Sequence, residues 1–276
     1  MSILPFVRPP VPGEPRHSSL ETVAETLTRT GEWPLADLKL RFFPVYDVQR
    51  QRAVALFCLP ASGFAGEALH GHKAFNDLST EEWIALDGAI LRHALAFSGR
   101  LAASGIVVAV GASVSYRTLS DPIGRMTYRD MLRITRAGER STLLIKVEDI
   151  PDGTRGRRIG EIVSSVRALT PRVWVHLPGS HVPLAGHEPL NAAAIVLSMP
   201  ARLPMHGMTT EARWLARTAT LQSAIACMDR VDSFAEFDIA RACGIRFIAG
   251  QALKRPALAA NAPLHEVRDT LYGVLQ

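Results

Sequence analysis

The chain has 276 residues, 47% of them apolar and 21% charged, with a formal net charge of +5, which suits one α/β barrel whose core needs no disulfide or metal staple. The longest uncharged run, Leu101 to Tyr116, is short for a membrane span, and the N-terminus lacks the basic region and continuous apolar stretch of a signal peptide. The excess charge comes mainly from arginines scattered through predicted helices, the pattern of a solvated surface rather than of a nucleic-acid or membrane binder.

Pro5, Pro9, Pro10, Pro12 and Pro15 forbid a helix over residues 1–17 and predict a flexible arm, leaving 18–276 as a single barrel domain. Ser18 to Glu21 is a capping box that opens a helix ending at Gly31. The apolar runs Leu38 to Val48 and Ala53 to Leu59, separated by Gln49-Arg50-Gln51-Arg52, predict an antiparallel hairpin. A second capping box, Ser79 to Glu82, starts a helix with Trp83, Leu86, Ile90, Leu91, Ala94 and Phe97 on one face and Gly105 at its end. Strands are then expected at 106–110, 142–147, 173–175, 193–197, 224–228 and 246–248. The helices between them are expected at 122–137, 155–169, 209–223 and from Ser233 to Gly244, with a last one within 262–275. Continuous apolar strands alternating with helices imply a parallel sheet covered by helices. With the opening hairpin, the expected fold is a modified TIM-like (β/α)8 barrel with an antiparallel opening strand. No Gly-rich phosphate loop follows the first strand, which argues against a dinucleotide-binding sheet.

The most specific stretch runs from Met228 to Pro256, MDRVDSFAEFDIARACGIRFIAGQALKRP. Its order of strand end, helix, glycine stop, short strand and Arg-Pro resembles the C-terminal part of EAL domains, the cyclic-di-GMP phosphodiesterase family. There the pattern is AEGVET, a helix, a Gly-Cys-Asp-like turn and QGxxxxRP. Met228 to Ser233 stands at the first motif, and Ala249-Gly250 at Gln-Gly. Upstream, Arg41 to Asp47 resembles the opening YQPIVD segment. An active member of that family holds divalent cations on Glu, Asn and Asp side chains at the strand ends, because such ions require hard oxygen ligands.

By this resemblance the name-giving glutamate becomes Phe57, and Gly111 lies where a strand would end in Asn. Lys146 replaces the first glutamate of Glu-x-Thr-Glu, and His176-Leu177 replaces the paired aspartates. Val196 and Ser198 match a lysine and an aspartate, and only Asp229 keeps an acid. The resemblance therefore implies a degenerate, non-catalytic member with a vestigial pocket at Phe57, Gly111, Lys146, His176, Val196 and Asp229. No cofactor or metal is expected, and the lost polar contacts argue against tight cyclic-di-GMP binding. Two other readings are a nucleotide receptor without turnover, and an enzyme of different barrel chemistry using Lys146, Glu148, His176 and Asp229.

His70-Gly-His72 has a spacing seen in metal sites but sits in a Gly-rich loop with no nearby Cys or second pair, and Pro and Gly break any regular spacing among His176, His181 and His187, so both groups read as polar loops. Ser113 and Ser115 have no His/Asp partner by motif. Gly153 to Arg158 has the composition of a phosphate cradle at a helix start. Arg125, Arg129, Arg133 and Arg136 fall on one helix face. That face is either solvated or a surface for an unidentified protein partner or a homodimer, since arginine is favoured at interfaces. No aromatic residues interleave Arg155, Arg157 and Arg158, which argues against nucleic acid. Cys58, Cys227 and Cys243 form no CxxC and read as buried thiols of a reducing cytoplasm. The expected role is regulatory, in bacterial cyclic-di-GMP signalling.

Overall fold

The computed structural model describes residues 39–64, 67–70, 78–135, 142–180, 189–199, 203–253, 257–259 and 261–272, all within the compact unit Asp37–Gln276. The arm at 1–17 and the helix opened by Ser18 lie outside these residues. The predicted hairpin is present: β1 (Lys39–Asp47) and β2 (Arg52–Phe64) pair antiparallel. Its turn is tied by Asp47, whose Oδ1 accepts from the N–H groups of Gln49 and Arg50 at 3.0 and 3.3 Å. The other oxygen of this buried carboxylate takes two bonds from the Arg246 guanidinium, at 3.1 and 2.9 Å. A sequence separation of 199 residues is thereby closed by one charge-assisted fork.

A short strand, β3 (Glu67–His70), returns antiparallel along β2, followed by α1 (Thr80–Ala103), β4 (Ala109–Ser115), α2 (Tyr116–Ser120), α3 (Pro122–Ile134) and β5 (Leu143–Glu148). Next come α4 (Gly156–Arg167), β6 (Val173–Leu177), β7 (Ala194–Ser198), α5 (Met205–Leu221) and β8 (Ile225–Asp229). The chain ends in α6 (Phe234–Ala242), β9 (Phe247–Ile248), a 3₁₀ turn (Gln251–Leu253), β10 (Leu258–Ala259) and α7 (Leu264–Tyr272).

Strands β2, β4, β5, β6, β7, β8 and β9 pair in parallel in that order. β1 closes the ring by pairing antiparallel with both β2 and β9. The result is a closed eight-stranded barrel with helices outside it. The antiparallel opening strand is thus antiparallel on both sides. β10 pairs antiparallel with Arg41 and Phe42 of β1, on the edge that β9 also uses.

Both capping boxes in the described residues form. Ser79 and Glu82 exchange hydrogen bonds at the start of α1, and Ser233 and Glu236 do so at the start of α6. Gly105 and Gly244 follow these helices at φ 70° and 80°, where the left-handed conformation favours glycine. Outside the barrel, Phe42 stacks on Phe97 of α1 with ring centroids 3.9 Å apart. Among the described residues, no helix is long and apolar enough to cross a membrane.

One predicted strand is displaced, and the short strands β3 and β10 are additional to those expected. β4 begins at Ala109 rather than Ile106 and continues to Ser115, and Val107 is exposed. The apolar run 106–110 is therefore mostly approach, while the small residues Gly111, Ala112 and Ser113 occupy the wall. Helix α5 also starts four residues earlier than the pattern indicated, behind Pro204 as N-cap.

Candidate functional site

Side chains alternate along each strand, so residues two apart share a face. The inward set of this barrel holds Phe57, Leu144, Trp174, Val196, Cys227 and Phe247, packed as one apolar cluster. Trp174 lies 4.9 Å from the Phe57 ring and 5.7 Å from that of Phe247, centroid to centroid. These three rings bridge the interior. Gly111 is the β4 residue opposite Phe57 in the ladder, and a Cβ there would overlap the Phe57 ring. The large ring on β2 therefore requires glycine on β4.

One pleat nearer the C-terminal strand ends the interior turns polar. Lys146 is buried, its Nζ 5.0 Å from the centre of the Phe57 ring and 2.5 Å from Glu148 Oε1. Burial pulls the Lys146 pKa down, but the Glu148 and Asp229 carboxylates push it up further, and the net direction is upward. This ammonium stays charged at neutral pH, which removes it as a nucleophile or a base. His176 Nε2 lies 2.9 Å from Ser198 Oγ and 3.8 Å from Asp229 Oδ2. Both partners meet the same ring nitrogen, whereas a serine nucleophile relay needs them on opposite nitrogens. Asp229 Oδ1 is buried with no hydrogen-bond partner. Burial, reinforced by Asp229, pushes the Cys227 thiol far up, and burial alone does the same to Cys58. Both thiols are poor nucleophiles in the folded chain.

The six predicted pocket residues thus do not form one layer. Phe57, Val196 and Gly111 belong to the apolar interior. Lys146, His176 and Asp229 form the polar cluster, joined by Glu148 and Ser198. Gly111 sits well inside β4 rather than at its end, and the β4 residue opposite Lys146 is Ser113. That serine donates to the Cys58 carbonyl at 3.2 Å. Ser115 instead caps α2, accepting from the Arg117 N–H at 3.1 Å. Trp174 and Phe247 escaped the sequence reading, although the two-residue spacing from Trp174 to His176 places both on the inner face.

Two backbone features fit the C-terminal motifs. Arg230 stands where AEGVET has its glycine, and it adopts φ 53°, a left-handed conformation uncommon for a residue with a side chain. Gly250, where the resemblance keeps its second glycine, has φ 145°, and a Cβ there would collide with the Val231 backbone. The donor set does not fit a divalent cation: an ammonium, an imidazole and an aromatic ring face the two carboxylates. Among the described residues, no group of three or more His, Cys, Asp and Glu is placed to hold a metal ion.

Elsewhere, Arg157 and Arg158 pair with Glu161 of their own helix, each at 3.2 Å. Arg125, Arg129 and Arg133 share a face of α3. Arg136, His72, His181 and His187 lie outside the described residues.

No protein-family model and no curated protein matches this sequence. Solved structures do match it. An EAL-domain protein from Listeria monocytogenes EGD-e is similar with a TM-score of 0.63 at 11% identity, over 84% of this chain and 91% of that one. The EAL domain of Xanthomonas citri FimX, solved in complex with cyclic-di-GMP, is similar with a TM-score of 0.58 at 17% identity, over 88% and 94%. Klebsiella pneumoniae BlrP1, in a complex with manganese and cyclic-di-GMP, is similar with a TM-score of 0.60 at 14% identity, over 83% of this chain and 58% of that protein. These likenesses lie at the level of the fold: the chain has the EAL-domain fold.

Proposed function

We propose that this chain is a non-catalytic, EAL-like signalling barrel of the bacterial cytoplasm, acting through protein contacts and not hydrolysing cyclic-di-GMP. The observation that carries this reading is Lys146 seated over Phe57. An aromatic ring and a buried ammonium take the positions that the resemblance assigns to two metal-binding glutamates. Glu148 and Asp229, the nearest acids, already have their counter-charge in Lys146. A divalent ion would have to displace or repel that ammonium. The Klebsiella structure contains manganese and cyclic-di-GMP, and a divalent ion takes hard oxygen ligands where this interior presents an ammonium and a ring. Phe57, Gly111, Lys146, His176, Val196 and Asp229 are on this reading the remnant of a catalytic pocket. The same reading takes 18–276 as the barrel and 1–17 as an arm. The unpaired thiols Cys58, Cys227 and Cys243 accord with a reducing compartment.

Titration of the protein with Mn²⁺, followed by the ion's electron-spin resonance signal, and calorimetry with cyclic-di-GMP test the reading together. The expected result is no stoichiometric Mn²⁺ uptake and no micromolar nucleotide affinity. Micromolar cyclic-di-GMP binding without Mn²⁺ would instead make the chain a nucleotide receptor, in which arginines alone hold the phosphates.

A further inference from the structure

Helix α3 carries two outward stripes that the barrel does not use. Its inner side, Gly124, Tyr128 and Leu132, is buried. Gly124 approaches the Thr118 carbonyl and Ile84 of α1. On the outside, Ile123, Met126 and Ile134 are 66%, 52% and 75% exposed. Their spacing puts them along one line of about 16 Å, three turns of helix. Beside them runs the arginine stripe. Arg125 donates to the Leu119 carbonyl at 3.3 Å, and Arg133 pairs with Asp130 at 2.9 Å. Arg129 has no ion pair among the described residues, and its Nε is shut off from solvent with no acceptor. Together Arg125, Met126, Arg129, Asp130 and Arg133 line a groove of about 260 Å³.

We propose that this face docks an acidic amphipathic helix of another protein, its carboxylates in the arginine groove and its apolar side on Ile123, Met126 and Ile134. The inference rests on the reading of the chain as a barrel that acts through protein contacts, and it names the surface and the partner's chemistry. Guanidinium groups bind carboxylates in a planar, two-bond geometry, and Arg129, which lines the groove, has no ion pair among the described residues. An apolar line flanked by charge is the complement of a helix with one apolar and one acidic side. A second copy fits poorly, because a two-fold contact through this face sets arginine stripe against arginine stripe with, among the described residues of α3, only Asp130 to offset it. An anionic membrane also fits poorly, because Asp130 lies within the groove and a concave site suits an inserted side chain better than a flat layer of headgroups.

The test uses fluorescence anisotropy with two labelled synthetic helical peptides, one with leucines on one face and glutamates on the other, its twin with glutamines for the glutamates. At physiological salt the acidic peptide is expected to bind the wild type at least tenfold more tightly than its twin. Arg129→Glu/Arg133→Glu should weaken binding at least tenfold, and so should Ile123→Ser/Met126→Ser. The control Arg157→Glu/Arg158→Glu, with the same change in net charge on α4, should stay within twofold of wild type. Equal binding of the two peptides, or a control as weak as the α3 variants, overturns the proposal. So does a dimer in sedimentation that Arg129→Glu dissolves, which would make a second copy the occupant. Retention on phosphatidylglycerol vesicles that the same change abolishes would make it a membrane. Cyclic-di-GMP turnover, measured on the same samples, reports on the non-catalytic reading separately, since no residue of α3 faces the barrel interior.

Discussion

Phe57 and Gly111 act as one unit, because the ring on β2 occupies the space that any side chain on β4 would need. Gly111→Ala is expected to cost about 1–3 kcal/mol by overpacking, and Phe57→Leu in the same chain should recover most of it; urea denaturation of the single and double variants reads this directly. Additive losses would mean that the two sites are independent. Lys146 is the other decisive residue. Its removal in Lys146→Met leaves Glu148 buried without its ammonium, at a cost of about 3–5 kcal/mol. The sign of its pH dependence follows from an upward-shifted pKa. The contribution is complete below the unfolded value of about 10.4 and is lost as pH rises through the higher folded value. The stability gap between wild type and Lys146→Met should therefore hold constant from neutrality to about pH 9 and close only above about 10.4. A gap already closing near pH 8 would contradict the charged, paired lysine. These residues were legible in sequence because each lies in a short strand anchored by its neighbours. Their pairing was not, since nothing local links Phe57 to Gly111 or Lys146 to Asp229.

At the scale of elements, local chemistry was the readable part. Ser79 with Glu82 and Ser233 with Glu236 mark helix starts through bonds made within four residues, so no tertiary knowledge was needed. β4 was misplaced for the opposite reason. Hydrophobicity favours Ile106 to Val110, but the barrel interior beside Phe57 demands small residues, a demand set by another strand. The loop after β8 carries a residual cost that the motif comparison makes visible. Arg230 holds φ 53° where a glycine would be unstrained. Arg230→Gly should raise stability by about 0.5–1 kcal/mol, the left-handed strain relieved less the entropy cost of glycine. A loss of stability, measured by thermal unfolding, would show that the Arg230 side chain contributes more than its backbone costs.

At the scale of the whole molecule, alternation of strand and helix and the opening hairpin sufficed to indicate a barrel. The double antiparallel pairing of β1 did not follow, because it depends on β9 returning to Tyr46 and Asp47 from the far end of the chain. The Asp47–Arg246 fork and the aromatic bridge of Phe57, Trp174 and Phe247 are closures of the same kind, made only when the ring is complete. Within this frame the polar positions that the resemblance assigns to metal chemistry are filled by a ring, an ammonium and an imidazole. On the proposed reading, such an interior does not cut a phosphodiester. Incubation of the purified protein with cyclic-di-GMP and Mn²⁺ or Mg²⁺, with chromatographic detection of the linear dinucleotide, addresses it most directly. No product above the buffer control is expected; metal-dependent turnover that disappears in Asp229→Asn would contradict a non-catalytic interior.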